Sequence, residues 1–541
     1  MMDHPSMWPQ TYTPLSENLP LSALIAALPV FVVLVLLGIL RKPAWMAALS
    51  GLGIAAIVAL LVYRMPVSIL ASSCLYGAAY GILPIGWIVF TALLLYRLTV
   101  ETGKFEIIKD SIGSLTSDQR LQALLIAFAF GAFIEGACGF GTPVAVAAAM
   151  LAGLGFKPFY AASLCLLANT SPVAFGSIGT PLVMLATVTG LPLNPLSADV
   201  GRICAPVSLF VPAYLVLVMG GFGALRAVFP AAAVCGIAFA GAQFFVSSFI
   251  GPHLTDILGS LAAMGSLVLL LQFWKPKGAE RAKAHGRSTG EIVLAWSPYL
   301  LLIVFVLLWG LDVLPVKAWV NRATITFAWP GLHNVVMRMP PVTVKPSPYA
   351  ATFAFNWLAA SGTSCLLAVF ASAMVLRVSP KRLAVMIMET ARQLLLPMVT
   401  ISTVLALAFL MNYSGETATL GLAFSATGAM FPFFSALLGW LGVFLTGSDT
   451  SSNALFGNLQ VVTANHLGLN PALMAAANSS GGVMGKMISL QSICVAAAAT
   501  GMAQSEEAKL FRFTLKHSIF LAVVTGLVVV FYAYIMPAWV R

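Results

Sequence analysis

The chain has 541 residues, of which 60% are hydrophobic and 8% charged, and its mean hydropathy is +0.97. Such a chain cannot cover a water-soluble globule with an ordinary polar surface, so its solvent is a lipid bilayer. The net charge of +11 does not point to nucleic acid, because Lys and Arg sit between apolar segments and not in one patch interleaved with aromatics.

The first twenty residues do not resemble a cleaved signal peptide. The apolar run Leu21 to Leu40 is about one bilayer thickness at roughly 1.5 Å per residue and ends at Arg41 and Lys42. That basic pair is expected inside and the N-terminus outside. A second span, Pro43 to Tyr63, and a third within 67–96 lead to a mixed-charge segment, 97–120, in which Thr116 or Ser117 is expected to cap a helix starting near Asp118. Spans follow the first core at roughly 203–225, 227–250 and 254–273. Residues 275–291, with five basic and two acidic residues, read as a cytoplasmic linker between 1–274 and 292–541. After a span over 292–311, the Pro-rich segment 312–350 is expected outside. Crossings at 351–376 and 393–411 then lead out to NYSGE at 412–416. A last span ends near Pro537, leaving Arg541 outside. The expectation is an all-α polytopic membrane protein of about 12–14 transmembrane helices.

Two cores interrupt this pattern. The first, 121–190, contains GAFIEGACGFGTPV, in which Glu135 is the sole Asp, Glu, Lys or Arg between Arg120 and Lys157. A carboxylate at membrane depth costs several kcal/mol, so it marks a functional site, or else a structural carboxylate on a small-residue packing face. Gly136, Gly139 and Gly141, followed by Pro143, disfavour a continuous helix and let backbone approach a ligand. The second core, 418–503, contains GVFLTGSDTSSNAL, which repeats the glycine and aromatic frame 311 residues later. ANTSPVAFG from Ala168 and ANSSGGVMG from Ala477 echo each other at a spacing of 309. The chain therefore reads as a duplicated unit with broken helices or re-entrant hairpins. Counted span by span, the second core enters from the opposite face to the first, which makes the repeats inverted. Gly-rich interruptions at matching places point to a transporter's substrate site.

Around Asp449 stand Thr446, Ser448, Thr450, Ser451 and Asn453, and no Asp, Glu, Lys or Arg follows until Lys486. Exposed helix N-termini suit a carboxylate substrate, and Lys486 would pair either with that substrate or with Asp449. Asn169, Thr170 and Ser171, with Asn478, Ser479 and Ser480, offer oxygens at broken backbone for a substrate hydroxyl, its carboxylate or a sodium ion. Glu135 or Asp449 would carry a proton. Seven cysteines with no CxxC pair and six scattered histidines form no metal site, no cofactor is expected, and the GxSxG, HExxH and Walker motifs of enzymes are absent.

The strings EGACGFGTPVAV, LGFKPFYAASLCL, NTSPVAFG, LGWLGVFLTGSDTSSNALFG, GGVMGKMIS and LFRFTLKHS resemble the signatures of the bacterial L-lactate permease family, which includes glycolate permeases. The resemblance implies a cytoplasmic-membrane importer of L-lactate, D-lactate and glycolate driven by proton symport. It carries the family's motif residues onto Glu135, Asn169, Asp449, Asn453, Asn478 and Lys486. Cys138 and Thr142 stand where the family has alanine, and Leu490 where it has proline, which bears on the preferred 2-hydroxy acid. A sodium-coupled carboxylate transporter and a passive anion channel are the rival readings.

Overall fold

Inside a bilayer no water meets exposed N–H and C=O groups, so apolar stretches close their hydrogen bonds within helices. The computed structural model describes residues 7–540 apart from 41, 140, 275, 277–287, 311–314 and 504–505, and apart from the side chains of 38, 84 and 310. Eleven helices among these are long and apolar enough to cross a membrane, or twelve if the bent pair Pro158–Ala168 and Val173–Thr189 is one span. Most of the expected 275–291 linker, and Arg541, lie outside the described residues.

The longest helical run, Leu193–Phe249, has 57 residues. At about 1.5 Å per residue it would reach nearly three times the hydrocarbon thickness if straight. It doubles back at Gly220 and Gly221, where Gly221 has φ 70. The Ser197 hydroxyl then donates to the Ser247 carbonyl at 2.9 Å, so its two arms run antiparallel. The reversal falls a few residues before the expected boundary at 225–227 because the Gly-Gly pair admits positive φ without steric cost.

The two cores are hairpins. In the first, Gly131–Ala137 breaks at Cys138 and resumes as Thr142–Gly153 behind Gly141, whose φ is 80. Pro158–Ala168 then runs back to a 64° bend before Gly176–Thr189. In the second, Phe431–Thr446 breaks at Gly447, and Asp449–Leu467 starts behind Ser448. Pro471–Lys486 returns, and Leu490–Thr500 continues after a short gap. The first hairpin turns where Phe159 meets Lys509 and Phe513. The second turns beyond Asn465, beside the pocket lined by Gln10 and Gly190. The two turns thus lie beside opposite ends of the bent pair Pro158–Ala168 and Val173–Thr189. Phe431–Thr446 and Pro471–Lys486 touch through glycines: a Cβ at Gly439 would lie 1.9 Å from the Asn478 carbonyl oxygen, and one at Gly481 2.0 Å from that of Ala436.

Helices from the two ends of the chain interleave around these cores. Gly77 and Gly81 admit Leu405 and Ser402 of Pro380–Ser414 at backbone distance. Arg97 pairs with Glu389 at 2.6 Å and Arg382 pairs with Glu101, which joins the two basic segments expected inside.

Four expectations need correction. The helix after 118 is capped by Asp118, which accepts from the Arg120 N–H at 2.9 Å; Thr116 instead receives the Asp118 N–H at 3.2 Å. The membrane fold is all-α, but the segment expected as an outside loop at 312–350 carries short strands, in which Ile325–Ala328 pairs with Thr352–Phe355 and Val336–Arg338 pairs with both Ser347–Pro348 and Trp8–Pro9. The β-branched and aromatic runs ITFA and TFAF of the first pair favour strands. The NYSGE stretch is no surface loop, because Asn412, Ser414 and Glu416 are buried and Gln10 donates to the carbonyls of Asn412 and Tyr413 at 2.9 Å. Finally, Asn478, Ser479 and Ser480 do not lie at a break. They sit within the continuous helix Pro471–Lys486, since a Gly-Gly pair flanked by good helix contacts does not by itself interrupt a buried helix.

Candidate functional site

The breaks of both hairpins meet at one cavity of about 80 Å³, buried at Glu135, Asp449 and Lys486 and bordered by exposed Gln491, room for a solute of only a few heavy atoms. Of the residues singled out from sequence, Glu135, Gly139, Ser448, Asp449, Thr450 and Lys486 line it. Val173, Gly176, Ser177, Thr180, Pro181, Gly447 and Gln491 complete the wall. The Asp449–Leu467 and Gly176–Thr189 helices both begin there, and their N-terminal ends favour negative charge.

Lys486 closes the opposite polarity. Its Nζ donates at 2.5 Å to the Gly447 carbonyl, at the C-terminal end of Phe431–Thr446. Among the described residues no ion pair within 4.0 Å joins Lys486 to Asp449 or Glu135. The fixed Lys486 to Asp449 pair is therefore absent, and the cation faces a cavity it shares with two carboxyl groups.

Asp449 is held from behind. Its Oδ2 accepts from Ser479 Oγ at 2.6 Å and from Asn453 Nδ2 at 3.4 Å, while Oδ1 has no partner. Asn453 also donates to the Pro181 carbonyl of the first core at 3.0 Å and accepts from Asn478 Nδ2 at 2.9 Å. Asn453 thus ties the cores together, Asn478 and Ser479 brace it and Asp449 within the second core, and none of the three lines the cavity. A Cβ at Gly482 would stand 2.4 Å from Asp449 Oδ1, so only glycine leaves that oxygen its space.

Glu135 is placed differently. Its Oε2 has no hydrogen-bond partner, and the buried Asn169 amide lies beside it outside hydrogen-bond geometry. A Cβ at Gly176 would come within 2.7 Å of Oε1. The neighbouring turn is strained: Ser177 and Ile178 have φ 48 and 56, conformations that cost on the order of 1–3 kcal/mol each outside glycine. His253 holds this turn, with Nδ1 bonded to the Ile178 carbonyl and Nε2 to Ser361 Oγ, both at 2.9 Å.

The other candidates serve the backbone or the packing. Thr170 and Thr446 donate to the carbonyls of Leu167 and Gly442, each at 2.7 Å. The Ser451 N–H donates to the Ser448 cap at 3.2 Å, and the Ser171 carbonyl accepts from Gln243 at 3.0 Å. Ser480 lies against Cys204, and Gly141 starts a helix. Gly136 abuts Asp256, because a Cβ there would be 2.7 Å from the Asp256 Cβ.

Sequence reasoning missed Asp256. It is 1% exposed, neither of its carboxyl oxygens has a hydrogen-bond partner, and it flanks Glu135 across Gly136. The signal was present, for Asp256 is the only Asp, Glu, Lys or Arg between Arg226 and Lys275. Among the described residues no three His, Cys, Asp or Glu side chains gather as a metal site would require.

Broken helices from two hairpins that converge on a small polar cavity, among eleven apolar helices of spanning length in the described residues, fit a multi-pass membrane transport protein. Its relatives fit that class. The chain belongs to the L-lactate permease family, whose model matches residues 22–536. It is 46% identical to the L-lactate permease of Bacillus subtilis (strain 168), covering 95% of this chain and 96% of that one. It is 45% identical to the glycolate permease GlcA of Escherichia coli (strain K12), covering 98% of each. These relatives are permeases, not enzymes. The solved structure of Neisseria gonorrhoeae MtrF, from a class of antimetabolite efflux pumps, matches 93% of this chain and 97% of its own with a TM-score of 0.51 at 12% identity, a likeness of fold alone.

Proposed function

We propose that the protein imports small 2-hydroxy monocarboxylates, namely L-lactate, D-lactate and glycolate, across the bacterial cytoplasmic membrane by proton symport. The names of its relatives support lactate and glycolate as substrates. In this reading residues 1–274 and 292–541 are the two inverted units and both termini lie outside.

The observation that carries the reading is the placement of one cation, Lys486, and two carboxyl groups, Glu135 and Asp449, on one small cavity that two helix N-termini face. A monocarboxylate brings one negative charge for Lys486 and the helix ends, and its hydroxyl meets Ser177, Thr450 or Gln491. A dicarboxylate would place a second charge beside Glu135 and Asp449, at the cost of burying it unpaired. The carboxyl group of Glu135, buried and incompletely bonded, takes up and releases the coupled proton; carboxyl groups in membrane interiors commonly serve proton relays. The sodium alternative would have to draw on the side-chain oxygens of Asn169, Ser171 and Ser480, which have no hydrogen-bond partner but do not line the cavity, since those of Asn478 and Ser479 are engaged within the second core.

The test is uptake of labelled L-lactate into proteoliposomes under separately imposed pH and sodium gradients. Accumulation driven by an inward proton gradient alone is expected. Accumulation that follows only the sodium gradient would replace the proton with sodium, and equilibration without accumulation under either gradient would make the protein a channel.

A further inference from the structure

A second cavity, of about 310 Å³, lies at the other end of the helices that line the buried site. Thr189 and Gly190 end one of these helices, and Asn458, Val461 and Asn465 lie in the later turns of the other; all five line this cavity. From Asp449 to Val461 the helix rises roughly 18 Å at about 1.5 Å per residue, so the two cavities are stacked along one helix pair.

Among the described residues Arg338 is the only charged one lining this outer cavity. Its guanidinium lies over the Tyr349 ring, 4.9 Å from the centroid, and its Nε is buried with no hydrogen-bond partner. Among the described residues no carboxylate pairs with it within 4.0 Å. A partly exposed guanidinium with an idle donor, held over an aromatic face, is suited to bind a planar anion in bidentate fashion. Asn412 and Asn458, joined by a 2.9 Å hydrogen bond, add amides to the same wall.

We propose that this cavity is a docking site for a small monocarboxylate, in which Arg338 holds the carboxylate before it passes to the buried site. The proposal rests on the transport reading above for the identity of the anion. Passage is shut in this conformation. Leu185, Val188 and Thr189 close on Gly457 between the two cavities, so near that a Cβ at 457 would lie 2.7 Å from Leu185 Cδ1. The seam between the two helices must part for a solute to travel from one cavity to the other.

The test places a cysteine at Val342, on the cavity wall, in a full-length background freed of its seven native cysteines that retains lactate uptake. The rates of labelling by an anionic and a cationic methanethiosulfonate reagent are compared, with and without L-lactate. The anionic reagent should be favoured, L-lactate should slow both, and Arg338→Gln should lower the anionic to cationic ratio by at least about 3-fold. Arg338→Lys, which keeps the charge but loses the fork, should preserve the ratio and raise the L-lactate concentration for half protection by about 5- to 20-fold. A ratio unmoved by Arg338→Gln overturns the site, and so does a lowered ratio without protection by L-lactate. Labelling and protection need no gradient, so they hold or fail separately from the coupling measured in proteoliposomes.

Discussion

The two carboxyl groups on the buried cavity have been given opposite surroundings. Asp449 stands at the first turn of a regular helix, with Ser479 and Asn453 behind it and Asn478 and Gln460 behind them. Glu135 stands at the end of a broken helix beside a left-handed turn, an amide outside bonding geometry and a second carboxyl, Asp256, that has no hydrogen-bond partner. A buried polar network that is satisfied makes a rigid frame, whereas an unsatisfied one stores free energy that a ligand or proton can release. Asp449 keeps one oxygen without a partner, but its other accepts two hydrogen bonds, whereas Glu135 Oε2 accepts none; the second core therefore reads as the better-braced part and the first as the part that responds.

The sharpest way to break this contrast is to neutralise each carboxyl in turn. Glu135→Gln should abolish accumulation of L-lactate against its gradient while exchange of labelled for unlabelled L-lactate persists; accumulation intact in Glu135→Gln would end its role as proton carrier. Asp449→Asn, which keeps an acceptor for Ser479, should leave partial accumulation. Next in size, Lys486→Met removes the one cation on the cavity. Loss of a charge-assisted hydrogen bond of about 1.5–3 kcal/mol predicts a KM for L-lactate raised by about 10- to 150-fold, and an unchanged KM would confine Lys486 to holding the Gly447 carbonyl. Gly176→Ala should push Glu135 aside and cut uptake by about 10-fold at unchanged expression, since sub-ångström placement governs such sites. The smallest effect is expected on the frame itself. Asn453→Ala should lower stability in detergent by about 1–3 kcal/mol, read as a drop in melting temperature, with uptake reduced far less than in Glu135→Gln.

The places where helices stop were legible because Gly and Pro act locally: Gly141, Gly447 and the 169–179 stretch mark real breaks. Charge isolation located Glu135 and Asp449 for the same reason. Asp256 carries the identical signal but sits in no repeated motif, so attention to the echo passed it by. The echo also misled at Asn478, where matching letters occupy a bend in one core and a straight helix in the other. Which hydroxyls face the cavity depends on helix rotation and partner contacts that lie about 300 residues away in sequence, as with Asn453 and Pro181. The burial of Glu416 likewise depends on a distant strand-forming segment at the N-terminus, whose Tyr12 carbonyl takes the Thr419 hydroxyl at 2.9 Å. Neighbouring residues give no hint of such contacts.

The glycine contacts between Phe431–Thr446 and Pro471–Lys486 have a mechanical consequence. With Gly439, Gly481 and Gly485 each seated at van der Waals distance on the facing backbone, neither helix can slide or roll against the other without a main-chain collision. The pair must travel as a single beam. Any rocking of the second core is then delivered whole to its two joints, at Gly447 and at residues 487–489. Lys486 sits between those joints with its ammonium on the Gly447 carbonyl, so a few degrees of tilt in the beam become a displacement of the positive charge that lines the inner cavity.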